Sequence, residues 1–225
     1  VQETALNEAK AGFQENKPVL LHGVTGSGKT QIYIKLIEEA IQQKKQALYL
    51  LPEIALTAQI VHRLKQHFGN QILVYHSRFN DQERVEIWQE VWKKKPIILG
   101  ARSSLFLPFQ DLGLVIIDEE HDPSFKQNDP APRYNARDAA IYVSHLHKAN
   151  VLLGSATPSV ESYNNALTNK YRLAELTERY GTAELPTVRL IDAKEEYRTK
   201  RMKNHFTQAL LDGIKTRDRK STRLN

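Results

Sequence analysis

Short apolar runs recur along most of the chain, and stretches with helical spacing lie between them. The runs have the length of buried strands and cover residues 19–21, 47–51, 72–75, 96–100, 114–118 and 151–153. Helical spacing follows the first three runs, at Tyr33, Leu36, Ile37, Ala40 and Ile41, at Leu56, Ile60, Leu64 and Phe68, and at Val85, Trp88, Val91 and Trp92. Because strands that alternate with helices build parallel sheets, the pattern predicts an α/β fold.

The second half of the chain is less regular. Residues 122–135 carry three prolines and no clear period, which predicts a long loop. Further elements are expected as helices at 136–147 and 160–167, a linker at 184–188, a last strand at 189–192 and a helix marked by Phe206, Leu210 and Ile214. We place a domain boundary near residue 185.

Trp88 and Trp92 are the two tryptophans of the chain and stand four residues apart. This spacing places both rings on the same face of the predicted helix. We expect them to pack in the core, and a platform for stacking bases is the alternative.

Residues 23–30, Gly-Val-Thr-Gly-Ser-Gly-Lys-Thr, match the Walker A pattern of a phosphate-binding loop. The glycines let backbone N–H groups turn inward towards a polyphosphate, Lys29 adds a positive charge, and Thr30 offers a hydroxyl to Mg²⁺. A glycine-rich turn could fit the pattern by chance, but a strand before it and a helix after it favour a nucleotide site. The expected nucleotide ligands are Gly23, Val24, Thr25, Gly26, Ser27, Gly28, Lys29 and Thr30.

Residues 114–121, Leu-Val-Ile-Ile-Asp-Glu-Glu-His, are an apolar strand that ends in acidic residues, which is a Walker B pattern. Asp118 at the end of the strand is placed to hold Mg²⁺ together with Thr30, and Glu119 to act on the attacking water. Lys29, Asp118 and Glu119 are therefore the candidate catalytic residues. A sheet edge that ends in solvated acids is the alternative.

The composition of the chain bears on where the protein is located and on what it binds. Hydrophobic residues make up 40% of the chain, cysteine is absent, and no apolar run approaches the ~20 residues of a membrane helix, so we expect a cytoplasmic protein without a membrane partner. Residues 218–225 match the in-frame translation of a common sequencing adapter and are expected to be an artefact, with a basic tail as the alternative. Without them the net charge falls from +6 to +4, which permits a nucleic-acid partner without establishing one.

Asp118-Glu-Glu-His121 together with residues 154–158, Gly-Ser-Ala-Thr-Pro, resembles motifs II and III of superfamily two helicases. The order of the motifs narrows the resemblance to the PriA-type replication restart helicases, also called primosomal protein N′, over residues 2 to about 217. The pieces that carry it are residues 23–30, Pro-Glu-Ile-Ala-Leu-Thr at 52–57, His76-Ser77, Arg102-Ser103, residues 120–127 and residues 133–138. Gln31, Ala58 and Ala101 depart from the family pattern.

The resemblance implies a RecA-like P-loop NTPase lobe, with a mainly parallel sheet and helices on both faces, over residues 1–185. Residues 186–217 would be the linker and the start of a second lobe. Gln2 would read adenine with its side-chain amide. The residues expected to couple hydrolysis to DNA are His121, Ser155, Ala156 and Thr157, and those expected to contact DNA are Arg102, Ser103, Phe125, Lys126, Tyr134 and Arg137. A surface loop pinned into the core by its aromatic residues is the alternative for the last group.

The resemblance further implies an ATP-dependent and Mg²⁺-dependent 3′ to 5′ DNA helicase. Its partners would be single-stranded and forked DNA, primosome proteins and single-strand binding protein. A second lobe with an arginine finger and a zinc-binding insertion are expected only outside this chain, which should therefore bind ATP and DNA but hydrolyse ATP poorly. Another superfamily two translocase, an RNA helicase and a non-motor DNA-binding adaptor are the alternatives.

Overall fold

The computed structural model describes residues 1–56, 58–76, 79–179, 188 and 190–221, the last five of these without their side chains. The chain forms two compact units, residues 1–183 and 184–225. Thr57, Ser77 and all of the predicted linker except Val188 lie outside the described residues. The predicted domain boundary near residue 185 stays a prediction.

The first unit is built on a seven-stranded sheet in which every strand is parallel to its neighbours. The strands are β1 (Val19–Gly23), β2 (Gln46–Leu50), β3 (Ile72–Tyr75), β4 (Ile97–Gly100), β5 (Leu112–Asp118), β6 (Asn150–Ser155) and β7 (Arg172–Leu176). Their order across the sheet is β3-β4-β2-β5-β6-β1-β7. The predicted parallel α/β sheet is confirmed.

Helices cover both faces of this sheet, as predicted. They are α1 (Gln2–Gln14), α2 (Lys29–Gln42), α3 (Ala58–Phe68), α4 (Asp81–Trp92), α5 (Ala136–His147) and α6 (Val160–Leu167). Successive strand residues point to opposite faces, so Val19 and Leu21 pack in a core with α1, α2 and α3, whereas Leu20 packs in a second core with α4 and α5. The sheet is therefore buried on both sides, which explains its nearly continuous apolar strands.

Two elements of the first unit were not predicted from the sequence. Helix α1 has a mostly polar sequence. Its buried residues are few and mostly small, namely Ala5, Leu6, Ala9 and Gly12. Strand β7 is a half-buried edge strand, and its Arg172 forms an ion pair with Glu8 of α1. Both elements are held by packing against β1, which is distant from β7 in the sequence. This packing needs few apolar residues, so neither segment has a clear hydrophobic pattern.

The predicted core packing of the two tryptophans on α4 is wrong. Trp88 and Trp92 are 47% and 54% exposed, and their rings stack on each other with centroids 5.7 Å apart. The helix instead buries Ile87 and Val91 against the sheet. At 3.6 residues per turn the apolar residues of α4 spread over an arc of about 160°, and the sequence did not indicate which edge of this arc faced inward.

The described part of the second unit contains two helices and one hairpin. It has α7 (Ala193–Arg198), an antiparallel hairpin of β8 (Met202–Lys203) and β9 (Phe206–Thr207), and α8 (Gln208–Ser221). The final helix was predicted, although Phe206 lies in the hairpin before it. The predicted strand at 189–192 is not formed over Leu190, Ile191 and Asp192, the part of it that the structure describes.

Candidate active site

Three neighbouring strands end at the same edge of the sheet and bring the sequence motifs together. Strand β6 lies between β1 and β5, so the loop after β1 faces the residues that follow β5 and β6. This is the crevice at the carboxyl ends of parallel strands where α/β proteins bind ligands. A cleft of about 720 Å³ lies there, lined by Gln2, Thr25, Gly26, Ser27, Gly28, Lys29, Thr30, Gln31, Lys35, Arg63, Asp118 and Glu119.

The phosphate loop has a backbone that its glycines make possible. Gly26 and Gly28 have φ angles of 79° and 91°, in the left-handed region that side chains with a Cβ avoid. Gly28 is the N-cap of α2, a helix of 14 residues whose N-terminus presents free N–H groups and the positive end of its dipole. The loop and helix therefore have the backbone geometry of an anion site, in agreement with the Walker A pattern.

Side chains of the loop fit a polyphosphate ligand. The Ser27 hydroxyl oxygen is buried and has no hydrogen-bond partner among the described residues. The Lys29 ammonium group donates to the Gly23 carbonyl at 2.8 Å and so lies against the loop. A buried hydroxyl without a partner is unfavourable unless a ligand supplies one. With Thr30 and Asp118 at the cleft, these groups match a nucleotide that carries Mg²⁺.

Gln2 also lies at the phosphate loop. Its side-chain amide donates to the Ser27 carbonyl at 3.2 Å and fills the space in which a Cβ at Gly28 would stand. Helix α1 thus brings a residue from the start of the chain into the cleft. Recognition of adenine by Gln2 stays a prediction.

Asp118 ends β5 as a partly buried carboxylate held by two tyrosines. Tyr33 donates to its Oδ1 at 2.8 Å and Tyr49 to its Oδ2 at 3.0 Å. Burial raises the pKa of Asp118, and the two tyrosine hydrogen bonds and the charge of Lys29 oppose that rise. Tyr33 was predicted only as an apolar helix position and Tyr49 only as part of a strand, so no sequence pattern indicated this contact.

Glu119 follows in a conformation that is rare for a residue with a side chain, with a φ angle of 50°. Its N–H donates to Asp118 Oδ1 at 3.1 Å, which turns the chain away from the strand. Burial and the neighbouring charge of Asp118 raise the pKa of Glu119. A carboxylate with a raised pKa is a stronger proton acceptor, and that property suits a residue acting on water.

The predicted coupling residues are brought together across β5 and β6. His121 Nδ1 lies 2.8 Å from Ser155 Oγ, and its Nε2 lies 3.4 Å from Thr157 Oγ1. The Thr157 N–H donates to Ser155 Oγ at 3.0 Å, with Ala156 in the turn between them. His121 Nδ1 is also 3.7 Å from Glu119 Oε2, so this cluster touches the candidate base.

A second buried carboxylate, Glu120, lies on the other side of the same turn. Its oxygens accept hydrogen bonds from the Ser159 N–H at 2.7 Å, the Ser162 hydroxyl at 2.8 Å and the Arg137 guanidinium at 3.2 Å. The Glu120 side chain is fully buried. Sequence reasoning gave Glu120 no role, whereas the structure makes it the link from the Walker B segment to α5 and α6.

Two residues that were expected to contact DNA occupy interior positions. Phe125 is 1% exposed and packs in the second core, so the prediction that its ring stacks on bases is wrong for this structure. The side chain of Arg137 is 12% exposed and is bound to Glu120, Asp138 and Ser159. This position does not support its predicted DNA contact. Both positions agree with the alternative interpretation, in which the loop is held against the core of the protein.

The other expected DNA contacts lie at the surface around the same loop. Arg102 donates to the carbonyls of Ser124 and Lys126, at 3.0 and 3.2 Å, and Ser103 is half-buried beside it. Lys126 is exposed, and the half-buried Tyr134 meets the exposed ring of Phe106 edge-on, with centroids 5.0 Å apart. Phe106 joins this surface as a residue that sequence analysis did not select. DNA binding here stays a prediction.

Three cleft-lining residues were also missed, namely Gln31, Lys35 and Arg63. Gln31 and Lys35 lie in the first and second turns of α2, one and five residues after the loop, so their closeness to the motif in the sequence was a usable signal. Arg63 comes from α3, and no spacing in the sequence connects it to the loop.

Within the described residues, no helix is long and apolar enough to cross a membrane.

Comparison with known proteins gives consistent matches. Residues 1–166 match the model of the DEAD/DEAH box helicase family. The chain is 46% identical over 185 residues to the replication restart protein PriA of Bacillus subtilis and 45% identical over 199 residues to that of Chlamydia trachomatis. These matches cover 82% and 88% of the chain but only 23% and 26% of the relatives, so the chain spans about a quarter of their length. The expected resemblance is confirmed.

Solved structures share the fold. The chain is similar to RecG bound to a three-way DNA junction, with a TM-score of 0.58 and 22% identity over 81% of this chain and 24% of RecG. It is also similar to the Hef helicase domain of Pyrococcus furiosus, with a TM-score of 0.52 and 17% identity over 80% of this chain and 38% of that domain. At these identities the likeness concerns the fold alone.

Proposed function

The chain belongs to the DEAD/DEAH box helicase family, and from this premise we propose that it is the ATP-binding motor lobe of a replication restart DNA helicase. Proteins of this family use a nucleotide and Mg²⁺ in general. One observation carries the proposal: the phosphate loop, Asp118 with Glu119, and the cluster of His121, Ser155 and Thr157 meet at three adjacent strand ends. Relatives that are 46% and 45% identical to the chain over the aligned residues are replication restart proteins.

Each group at the cleft has a proposed task in ATP hydrolysis. The N–H groups of residues 23–30 and the start of α2 would hold the phosphates, with Lys29 adding charge at the β and γ positions. Thr30 and Asp118 would hold Mg²⁺, which supplies charge neutralisation on the phosphate oxygens when bound. Glu119 would orient the attacking water and accept its proton.

Coupling to DNA is proposed to run through the turn after β5. His121 lies 3.7 Å from Glu119 on one side and bonds with Ser155 on the other, so a change at the γ-phosphate would reach the segment after β6. The surface formed by Arg102, Ser103, Lys126 and Tyr134 would meet single-stranded DNA, with cations for phosphates and an aromatic ring for bases. Movement would be 3′ to 5′, on forked and single-stranded DNA.

The remaining properties belong to the longer protein. A second lobe would supply an arginine finger, and zinc would bind only in the part outside this chain. Primosome proteins and single-strand binding protein are the proposed protein partners, and the cytoplasm is the proposed location. The chain alone would bind ATP and DNA but turn ATP over slowly, because it would hold one half of the active site.

Strand separation by the full-length protein tests the proposal. A forked DNA substrate should be unwound in the presence of ATP, and Glu119→Gln should abolish unwinding while nucleotide binding remains. Gln66→Glu, on the exposed face of α3, is a control of matched size that should unwind like the unchanged protein. Unwinding that survives in Glu119→Gln would contradict the motor and favour a nucleotide-dependent adaptor.

Substrate preference separates the other candidates in the same assay. ATP hydrolysis that is stimulated by forked and single-stranded DNA is expected. Stimulation by RNA alone would indicate an RNA helicase, and stimulation by long duplex DNA without strand separation would indicate a duplex translocase. Either result would contradict the proposed replication restart activity.

A further inference from the structure

Both carboxylate oxygens of Asp118 are held by neutral donors from different parts of the fold. Tyr33 lies on α2 and donates to Oδ1 at 2.8 Å, whereas Tyr49 lies on β2 and donates to Oδ2 at 3.0 Å. Both tyrosines are 0% exposed, and their rings meet edge-on with centroids 5.5 Å apart. Two hydrogen bonds to the two oxygens fix the rotation of the carboxylate as well as its position.

The segment after β6 leaves room for this arrangement. A Cβ at Gly154 would overlap the Tyr33 hydroxyl oxygen and lie 3.4 Å from Asp118 Oδ1. A side chain at position 154 would therefore collide with Tyr33. This packing requirement is separate from the place of Gly154 in the motif. Four elements, α2, β2, β5 and β6, converge on one carboxylate.

The chemistry of the donors suits a metal ligand. Oδ1 accepts the Glu119 N–H as well as the Tyr33 hydroxyl, whereas Oδ2 accepts the Tyr49 hydroxyl. Since a carboxylate oxygen can accept two bonds, Oδ2 keeps a direction for a metal ion or its bound water. A neutral hydroxyl also leaves the full negative charge on Asp118, whereas an arginine or lysine in the same place would cancel part of the attraction for a cation. Groups that hold metal ligands in this way commonly tune metal affinity.

We propose that Tyr33 and Tyr49 are positioning residues that orient Asp118 for Mg²⁺, with Gly154 providing the space that Tyr33 needs. The proposal rests on the nucleotide site described above and deepens it. It assigns Mg²⁺ affinity to two tyrosines that lie outside the Walker A and Walker B segments. A merely structural role would instead affect folding and leave the metal dependence unchanged.

Titration of Mg²⁺ into the 225-residue chain tests the proposal. The probe is a fluorescent ADP analogue at fixed concentration, and its affinity is also measured without metal in the presence of a chelator. Tyr33→Phe and Tyr49→Phe should each raise the Mg²⁺ concentration for half-maximal binding about tenfold. The metal-free affinity should not change, since the phosphate loop is intact. Gly154→Ala should act in the same direction as Tyr33→Phe.

Tyr142→Phe is the matched control, because Tyr142 is 65% exposed on α5. Circular dichroism confirms that each variant is folded, and if one tyrosine variant unfolds the other carries the test. An unchanged Mg²⁺ requirement in a folded variant would overturn the proposal, and so would an equal loss of affinity with and without metal. If the unchanged chain binds no nucleotide, the proposed nucleotide site itself is wrong. That outcome is distinct from a failure of the tyrosine proposal, in which the unchanged chain binds nucleotide and the variants keep its Mg²⁺ requirement.

Discussion

Two carboxylates, the partly buried Asp118 and the buried Glu120, define the site at the scale of single residues. Asp118 and Glu120 are two positions apart in the sequence and belong to separate hydrogen-bond networks. Two tyrosines donate to Asp118, whereas serines and Arg137 donate to Glu120. The Walker patterns predicted Lys29, Asp118 and Glu119 at one cleft, because motif spacing is local. The partners of the acids come from distant segments, so no local pattern indicated Tyr49 or Ser159.

Asp118→Asn should stabilise the fold at neutral pH. Burial raises the pKa of Asp118, so in the pH range between the unfolded and folded pKa values the folded chain holds more protons. Stability therefore falls as the pH rises through that range, and the cost of the buried charge persists at neutral pH. The variant removes this cost. Thermal melting should give it the higher midpoint at pH 7, with a gap that narrows in acid, and a lower midpoint at pH 7 would contradict the account.

Arg137→Ala should destabilise the chain by about 3–5 kcal/mol, because it leaves the charge of Glu120 buried without its ionic partner. Arg133→Ala, at an exposed position a few residues earlier, should stay within about 0.5 kcal/mol of the unchanged chain. Urea unfolding measures both free energies. Equal stability of the two variants, with DNA affinity lost only in Arg137→Ala, would instead restore Arg137 as a DNA contact.

Strands were predictable where their residues are apolar on both faces, and this includes the edge strand β3, in which Ile72 alone of the four residues is buried. The six apolar runs correspond to β1 to β6 because these strands are covered on both faces. Helix α1 and β7 escaped prediction because each buries one narrow side against the other. In α4 the apolar residues outnumber the inward positions, so periodicity alone could not distinguish the buried Ile87 and Val91 from the exposed tryptophans.

The two tryptophans of α4 should contribute little to stability. Trp88→Ala and Trp92→Ala each remove a ring that is about half exposed, so each should cost less than about 1 kcal/mol of unfolding free energy. Ile87→Ala, on the buried face of the same helix, should cost about 2–5 kcal/mol. Chemical unfolding of the three variants gives the comparison, and a loss in either tryptophan variant as large as that in Ile87→Ala would place the ring in the core.

At the scale of the whole molecule, the chain spans about a quarter of the length of its curated relatives. Its first unit contains the phosphate loop and the acids on one sheet, and the proposed second lobe would lie outside this chain. The family was predicted from the order of motifs, and the parallel α/β fold from the alternation of apolar runs with helical spacing. The surface proposed to meet DNA was predicted less well, because a loop can direct an aromatic side chain inward or outward with the same sequence.

Slow hydrolysis by the isolated chain follows from this organisation. An arginine finger contributes about 10³–10⁵ in rate in related phosphoryl-transfer enzymes. ATP turnover by the chain, measured by phosphate release with single-stranded DNA present, should therefore be at least about 10³-fold slower than turnover by the full-length protein. Comparable rates would mean that the chain holds a complete active site.

Nucleotide binding by the chain tests the central claim most directly. Calorimetric titration with ADP and Mg²⁺ should show one site, and Lys29→Ala should weaken it roughly 10-fold to 100-fold, because a charge-assisted hydrogen bond to phosphate is worth about 1.5–3 kcal/mol. Lys65→Ala, at an exposed position on α3, should bind like the unchanged chain. Equal affinity of the Lys29→Ala and unchanged chains, or no binding by the unchanged chain, would contradict a phosphate loop at residues 23–30.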